Sequence, residues 1–161
     1  MDFLAENDPD WKSTQVAEET ITGGTGGSLT SNDGNTEITI PPDAVEGEVT
    51  FTFEPQPPLD LANVYSNNRF ELTAQDSLED PVTEFAKPLT VKLSYDEEDL
   101  KGGWEEDLIL YYWDAGVNQW LDVVTTCDGG VYTRNLAENW LSVNICHLSE
   151  FNLFGLSLIH I

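Results

Sequence analysis

Positive charge is the scarcest property of this sequence. Six Lys and Arg stand against 30 Asp and Glu, for a formal net charge of −24 at pH 7. A chain this acidic repels a phosphate backbone, which argues against nucleic-acid binding, and the same repulsion disfavours anionic membrane surfaces. Cysteine is nearly absent as well. Cys127 and Cys146 are the two present, neither in a C-x-x-C pair, and no histidine cluster accompanies them, so zinc and redox catalysis lack support. Two readings of the pair stand side by side. One is a structural disulfide between neighbouring strands, which implies an oxidising compartment; the other is a pair of buried free thiols. Also missing are a signal peptide, a membrane-spanning apolar run and any 3.6-residue apolar period long enough for a sizeable helix.

What remains is enough for one core. With 161 residues and 40% apolar content, one domain is the expectation. Strong acidity suits a soluble domain in a salty medium, or one outside the cell where cations screen it. The densest acidic run, DEEDLKGGWEED from Asp96 to Asp107, contains no D-x-D-x-D-G loop and reads as a solvated loop rather than a metal site. Neither a metal nor a cofactor is expected.

Along the chain, residues 1–20 are polar and acidic with a turn signal at Asp8-Pro9, and read as a linker. TGGTGGS (Thr22 to Ser28) lacks the strand, helix and lysine of a phosphate loop and reads as a flexible lead-in. From Thr36 onward strand follows strand. TEITI alternates until Pro41-Pro42 stops it, since proline cannot donate to a ladder. EVTFTF, RFELTA and LTVKLSY each place apolar residues on one face, and DLILYYWD is apolar on both. AGVN (Ala115 to Asn118) marks a turn before QWLDVV, and CDGGVYTRN supplies another turn and strand. Trp113 and Trp120 flank the AGVN turn and are expected to pack across a hairpin; the alternative is a sugar-stacking platform, which requires coplanar exposed rings. Short strands parted by Pro, Gly, Asn and Asp predict an all-β antiparallel β-sandwich over residues 21–155.

The chain ends in NWLSVNICHLSEFNLFG followed by LSLIHI. Read as one strand, Leu141, Val143, Ile145, His147, Ser149, Phe151 and Leu153 share a face, so two polar groups interrupt a buried row. LSLIHI, residues 156–161, can be written back as codons that match the transposase mosaic-end adapter of sequencing libraries, and is read as a cloning or sequencing scar. On that reading His147 is the one native histidine.

Both ends resemble known families. GGTGGSLTSNDGNTEITIPPDAVEGEVTFTF is similar to the start of a ZU5-type β-sandwich: a glycine-rich lead, a strand, a Pro-Pro-x-Ala-Val turn, then a strand. The other end, with Trp113, Trp120, Cys127, Cys146 and HLSEFNLFG, resembles the proteolysis site of GAIN domains, where His-Leu-Ser/Thr is followed by one free position, Phe and apolar residues. ZU5-like domains of the death-domain adaptor class carry a related His-Phe-Ser site. A similar whole pattern, from -ITIPP- to -HLSxFxLFG-, occurs in modules of large bacterial surface proteins. The chain departs from GAIN sites at its cysteines. Those sites usually have two disulfides, with cysteines two and four positions before the histidine, whereas here Cys146 directly precedes His147 and Cys127 is the only other cysteine, so a second disulfide within this chain is impossible.

The resemblance implies an intramolecular acyl shift. His147 would act as general base and Ser149 as nucleophile on the carbonyl of Leu148; water would then hydrolyse the ester at the Leu148–Ser149 bond. On a regular strand, positions two apart lie about 6.5–7 Å apart, too far for direct proton transfer, so a kink costing about 1–3 kcal/mol is required. The competing reading makes His147 and Ser149 a hydrogen-bonded structural pair. The expected function is therefore a non-catalytic structural, adhesive or interaction module of a bacterial extracellular or cell-surface protein, whose partners are other domains of its parent chain or surface proteins. Self-cleavage is the alternative, and carbohydrate binding through the tryptophans a further one.

Overall fold

The computed structural model describes residues 16–56, 64–95, 108–127 and 130–156. The acidic run 96–107, residues 1–15 and residues 157–161, with His160, lie outside the described residues; Leu156, the first residue of the stretch read as a scar, closes β11. Eleven strands form two antiparallel sheets, with no α-helix among the described residues. One sheet has six strands: β1 (Ala17–Thr22), β4 (Glu48–Gln56), β5 (Val64–Asp76), β11 (Glu150–Leu156), β7 (Ile109–Asp114) and β8 (Gln119–Asp122), in that spatial order. The other has five: β2 (Gly27–Thr30), β3 (Thr36–Ile40), β6 (Leu89–Ser94), β10 (Trp140–Ile145) and β9 (Tyr132–Asn135). The all-β sandwich expected from the alternation is the fold observed.

Alternation explains most of the ladder. In β3 and β6 the buried positions are every second residue, Thr36, Ile38 and Ile40 in one and Leu89, Val91 and Leu93 in the other. Both inner faces meet in a single core. Its aromatic centre runs across the six-stranded sheet, with the Phe53 and Phe70 rings 4.7 Å apart and Phe70 and Phe151 5.4 Å apart. Each such buried side chain contributes about 1.5–3 kcal/mol relative to exposure.

Two elements lie where the sequence reading places none. β1 takes in Ala17–Thr20 from the segment read as linker, and β2 takes in Gly27 and Ser28 from the glycine-rich lead-in. Each is an edge strand at the same side of the sandwich, and the corner between them is built by glycine. Gly26 adopts φ +70°, and a Cβ there would meet the Ile40 carbonyl oxygen at 2.4 Å.

The larger correction concerns the C-terminal stretch. Residues 141–153 do not form one strand. β10 ends at Ile145 in the five-stranded sheet, and β11 starts at Glu150 in the six-stranded one. Cys146 to Ser149 is the connection that carries the chain from one layer to the other, bent at Cys146 and His147. His147 and Ser149 therefore do not interrupt a buried row; they sit between two rows.

Candidate functional site at the crossover between the sheets

Four consecutive residues, Cys146, His147, Leu148 and Ser149, make the crossover, and each is half-buried. Each is fixed by a different contact. Cys146 is bonded to Cys127, with Cα atoms 5.3 Å apart, inside the range a bridge requires. Of the two readings of the cysteines, the disulfide is the one the structure adopts. Cys127 follows a single 3-10 turn, Val123–Thr126, which spans the side of the sandwich between β8 and β9. The Thr126 hydroxyl donates to the Val123 carbonyl at 2.8 Å and accepts the Cys146 N–H at 3.1 Å, so the turn grips the crossover twice.

His147 turns toward β7. Its imidazole meets the Tyr112 ring edge to face, centroids 5.0 Å apart at 81°. Leu148 packs against the core. Ser149 is held on two sides: its hydroxyl donates to the Trp113 carbonyl at 2.8 Å, and its own carbonyl accepts the Leu72 N–H at 3.1 Å. No hydrogen bond joins His147 to Ser149. A hydroxyl has one proton to give, and here it is aimed at β7. None of the four crossover residues adopts a positive φ.

The site thus brings together His147, Ser149 and Cys146 with residues the sequence reading had not singled out. Tyr112 and the Trp113 backbone were legible only as part of a strand apolar on both faces. Alternation could place Tyr112 on the inner face, but nothing in the residue pattern tells which loop a carbonyl of β7 will receive. Trp113 and Trp120 pack across the β7–β8 hairpin as expected, centroids 5.5 Å apart at 66°, edge to face rather than coplanar.

Beside the crossover lies a second polar knot. The Tyr132 hydroxyl donates to Asp122 Oδ1 at 2.7 Å and accepts the Leu110 N–H at 3.0 Å. Asp122 also accepts the Val124 N–H at 3.1 Å, capping the 3-10 turn. Burial, followed by the hydrogen bond and charge of Asp122, pushes the Tyr132 phenol well above its ordinary 10.0. Burial also raises Tyr111, with the Asp122 charge adding to it. Among the described residues no three His, Cys, Asp or Glu side chains converge as a metal site.

The chain matches no protein-family model and no curated protein.

Proposed function

We propose that the domain is a non-catalytic structural or interaction module of an exported, surface-borne protein. The observation that carries this reading is the Ser149 hydroxyl, which donates to the Trp113 carbonyl at 2.8 Å while His147 packs on Tyr112. A general base must take the proton of its nucleophile. Here both groups anchor the crossover to β7 instead, one by a hydrogen bond and the other by ring packing. The Cys127–Cys146 bridge beside them suits an oxidising compartment, in keeping with a surface location and with the resemblance to bacterial surface modules.

A second reading, self-cleavage at Leu148–Ser149, draws support from one feature. The bend before Leu148 takes that peptide out of any ladder, and β11 beyond it is paired on both sides, with β5 and β7. A chain cut there would stay assembled.

A denaturing gel of the chain extended past Gly155, run beside Ser149→Ala, separates the two. The proposed function expects one full-length band from both, with mass spectrometry finding Leu148 still joined to Ser149. Two bands from the wild type and one from the variant would establish cleavage and overturn it.

A further inference from the structure

Strand direction fixes the two ends of the six-stranded sheet. β1 runs from Ala17, opposite Phe53, to Thr22, opposite Glu48. β11 runs the other way, from Glu150, opposite Glu71, to Leu156, opposite Val64. β1 therefore heads toward the end where β4 starts and β5 finishes, and β11 heads away from it. A module held through these two strands presents that end as its tip. There lies a cavity of about 720 Å³, within the roughly 300–1,000 Å³ typical of ligand pockets. Val49, Val82 and Phe85 give it apolar walls, and Phe85 is held by stacking on the buried Phe51, centroids 6.1 Å apart. Asp43, Glu46, Asp76 and Glu84 supply four carboxylates, and no Lys or Arg lines it.

We infer that this cavity docks a lysine-bearing segment of a partner protein, with the methylene stem against the apolar walls and the ammonium among the carboxylates. The inference rests on the interaction-module reading and names the partner's chemistry. The walls are set by the fold itself. Ala86 N–H donates to the Ala44 carbonyl at 2.9 Å, tying the two loops that face each other across the cavity, and Asp43 N–H anchors one of them to the Gly23 carbonyl at 2.7 Å. Asp76 Oδ1 accepts the Leu78 and Asp80 N–H groups at 2.9 and 3.0 Å, which fixes that carboxylate. The carboxylates of Asp43, Glu46 and Glu84 have no hydrogen-bond or ion-pair partner among the described residues, although the exposed Lys87 is close in sequence.

Charge and size select the occupant. Carboxylates around a concave, low-dielectric wall focus their field more than those on an open surface, such as Glu18, Glu54, Glu71 and Glu150 on the outer face of the six-stranded sheet. An anionic polymer is repelled, and so is a second copy, which brings the same −24 and the same four carboxylates. A bare divalent ion needs ligands that converge, and among the described residues no three His, Cys, Asp or Glu side chains do so. What fits is an organic cation with an apolar stem that reaches from wall to rim. Lysine is such a group, a compact ammonium on a flexible four-carbon stem. The hairpin turn beside the cavity adds the exposed Leu78 as an apolar contact for the segment that carries it.

Titration calorimetry of the full chain with a capped peptide of alternating lysine and alanine tests this. Saturable binding that weakens with added salt is expected, and none by the same peptide with norleucine or glutamate in place of lysine. Glu46→Lys with Glu84→Lys should weaken binding at least about tenfold, whereas Glu18→Lys with Glu71→Lys, equal in charge but on the open sheet face, should leave it within about twofold. Ala86→Trp, which fills the cavity from an exposed position, should weaken it about tenfold without changing charge. Melting temperatures confirm that every variant folds. Absence of saturable binding overturns the proposal, as do equal losses in the two double variants, wild-type affinity in folded Ala86→Trp, or equal binding of the norleucine peptide. Tighter binding of spermidine than of the peptide also overturns it, making a free polyamine the occupant. Mass measurement of the same samples keeps the two readings apart: a chain cut at Leu148–Ser149 that still binds removes the non-catalytic reading alone, and an intact chain that binds nothing removes this one alone.

Discussion

The Tyr132 hydroxyl ties β9 to the Leu110 peptide of β7 and to the Asp122 carboxylate at the end of β8. β8 leaves β7 after pairing Asp122 with Tyr111, so the Leu110 peptide would face the edge with its N–H unmet. Tyr132, from the other sheet, accepts that N–H and donates to the carboxylate that caps the next turn. Burying an unmet amide costs about 1–3 kcal/mol, so Tyr132→Phe should destabilise the domain by about that much at neutral pH. The phenol also makes stability depend on pH. Its folded pKa is raised above the ordinary 10.0, first by burial and then by Asp122. A group whose folded pKa exceeds its unfolded one stabilises fully below the unfolded value and loses that contribution as pH climbs past it. The wild type should therefore lose stability above pH 10 faster than Tyr132→Phe, narrowing the gap between them. Urea unfolding of both at about pH 8 and pH 11 measures this; a gap that stays constant would show that the phenol does not carry the alkaline loss.

Among elements, the six-stranded sheet contains a conflict. Glu54, Glu71 and Glu150 lie in direct register across β4, β5 and β11, and like charges directly opposed destabilise a sheet. Arg69 relieves Glu150 through a short ion pair, whereas the exposed Glu71 stands between two carboxylates. Replacing it by Lys turns two repulsions into two attractions, at about 0.2–1 kcal/mol per pair. Glu71→Lys should raise the denaturation midpoint in low salt and by less in high salt; a lowered midpoint in low salt would contradict the register. The same scale shows what the sequence could reveal. β3, β4 and β6 were legible because one face of each is buried and a period of two results. β1 was not, because Glu18, Glu19 and Thr20 are all exposed, and β2 was not, because its glycine carries no side chain to pattern. The crossover escaped for a different reason. Ile145 and Phe151, the last inward residue of one sheet and the first of the other, are an even number of positions apart, so the alternation runs through the switch of sheets unbroken. In the sequence His147 and Ser149 stand out only as polar residues within an apolar alternation; their partners Tyr112 and Trp113 are distant in sequence and become visible only in the fold.

At the scale of the whole molecule, charge is distributed as unevenly as it is abundant. The outward carboxylates of the six-stranded sheet sit on neighbouring strands about 4.8 Å apart, well inside a Debye length of about 30 Å at 0.01 M salt but beyond one of about 3 Å at 1 M. Their mutual repulsion opposes the compact state and is relaxed when the chain expands. Added salt should therefore stabilise this domain. Between about 20 mM and 0.5 M NaCl the expected gain is about 1–2 kcal/mol, a rise in Tm of roughly 3–6 °C for a chain of this size. A general effect of salt on hydrophobic burial would act on every variant alike. The electrostatic account instead requires a smaller rise in Glu71→Lys, which removes one carboxylate and supplies a cation in the crowded row. Thermal melts of the two proteins across that salt range decide between the mechanisms: a flat wild-type curve, or parallel curves for both proteins, would mean that self-repulsion on this face is not what limits the stability of the sandwich.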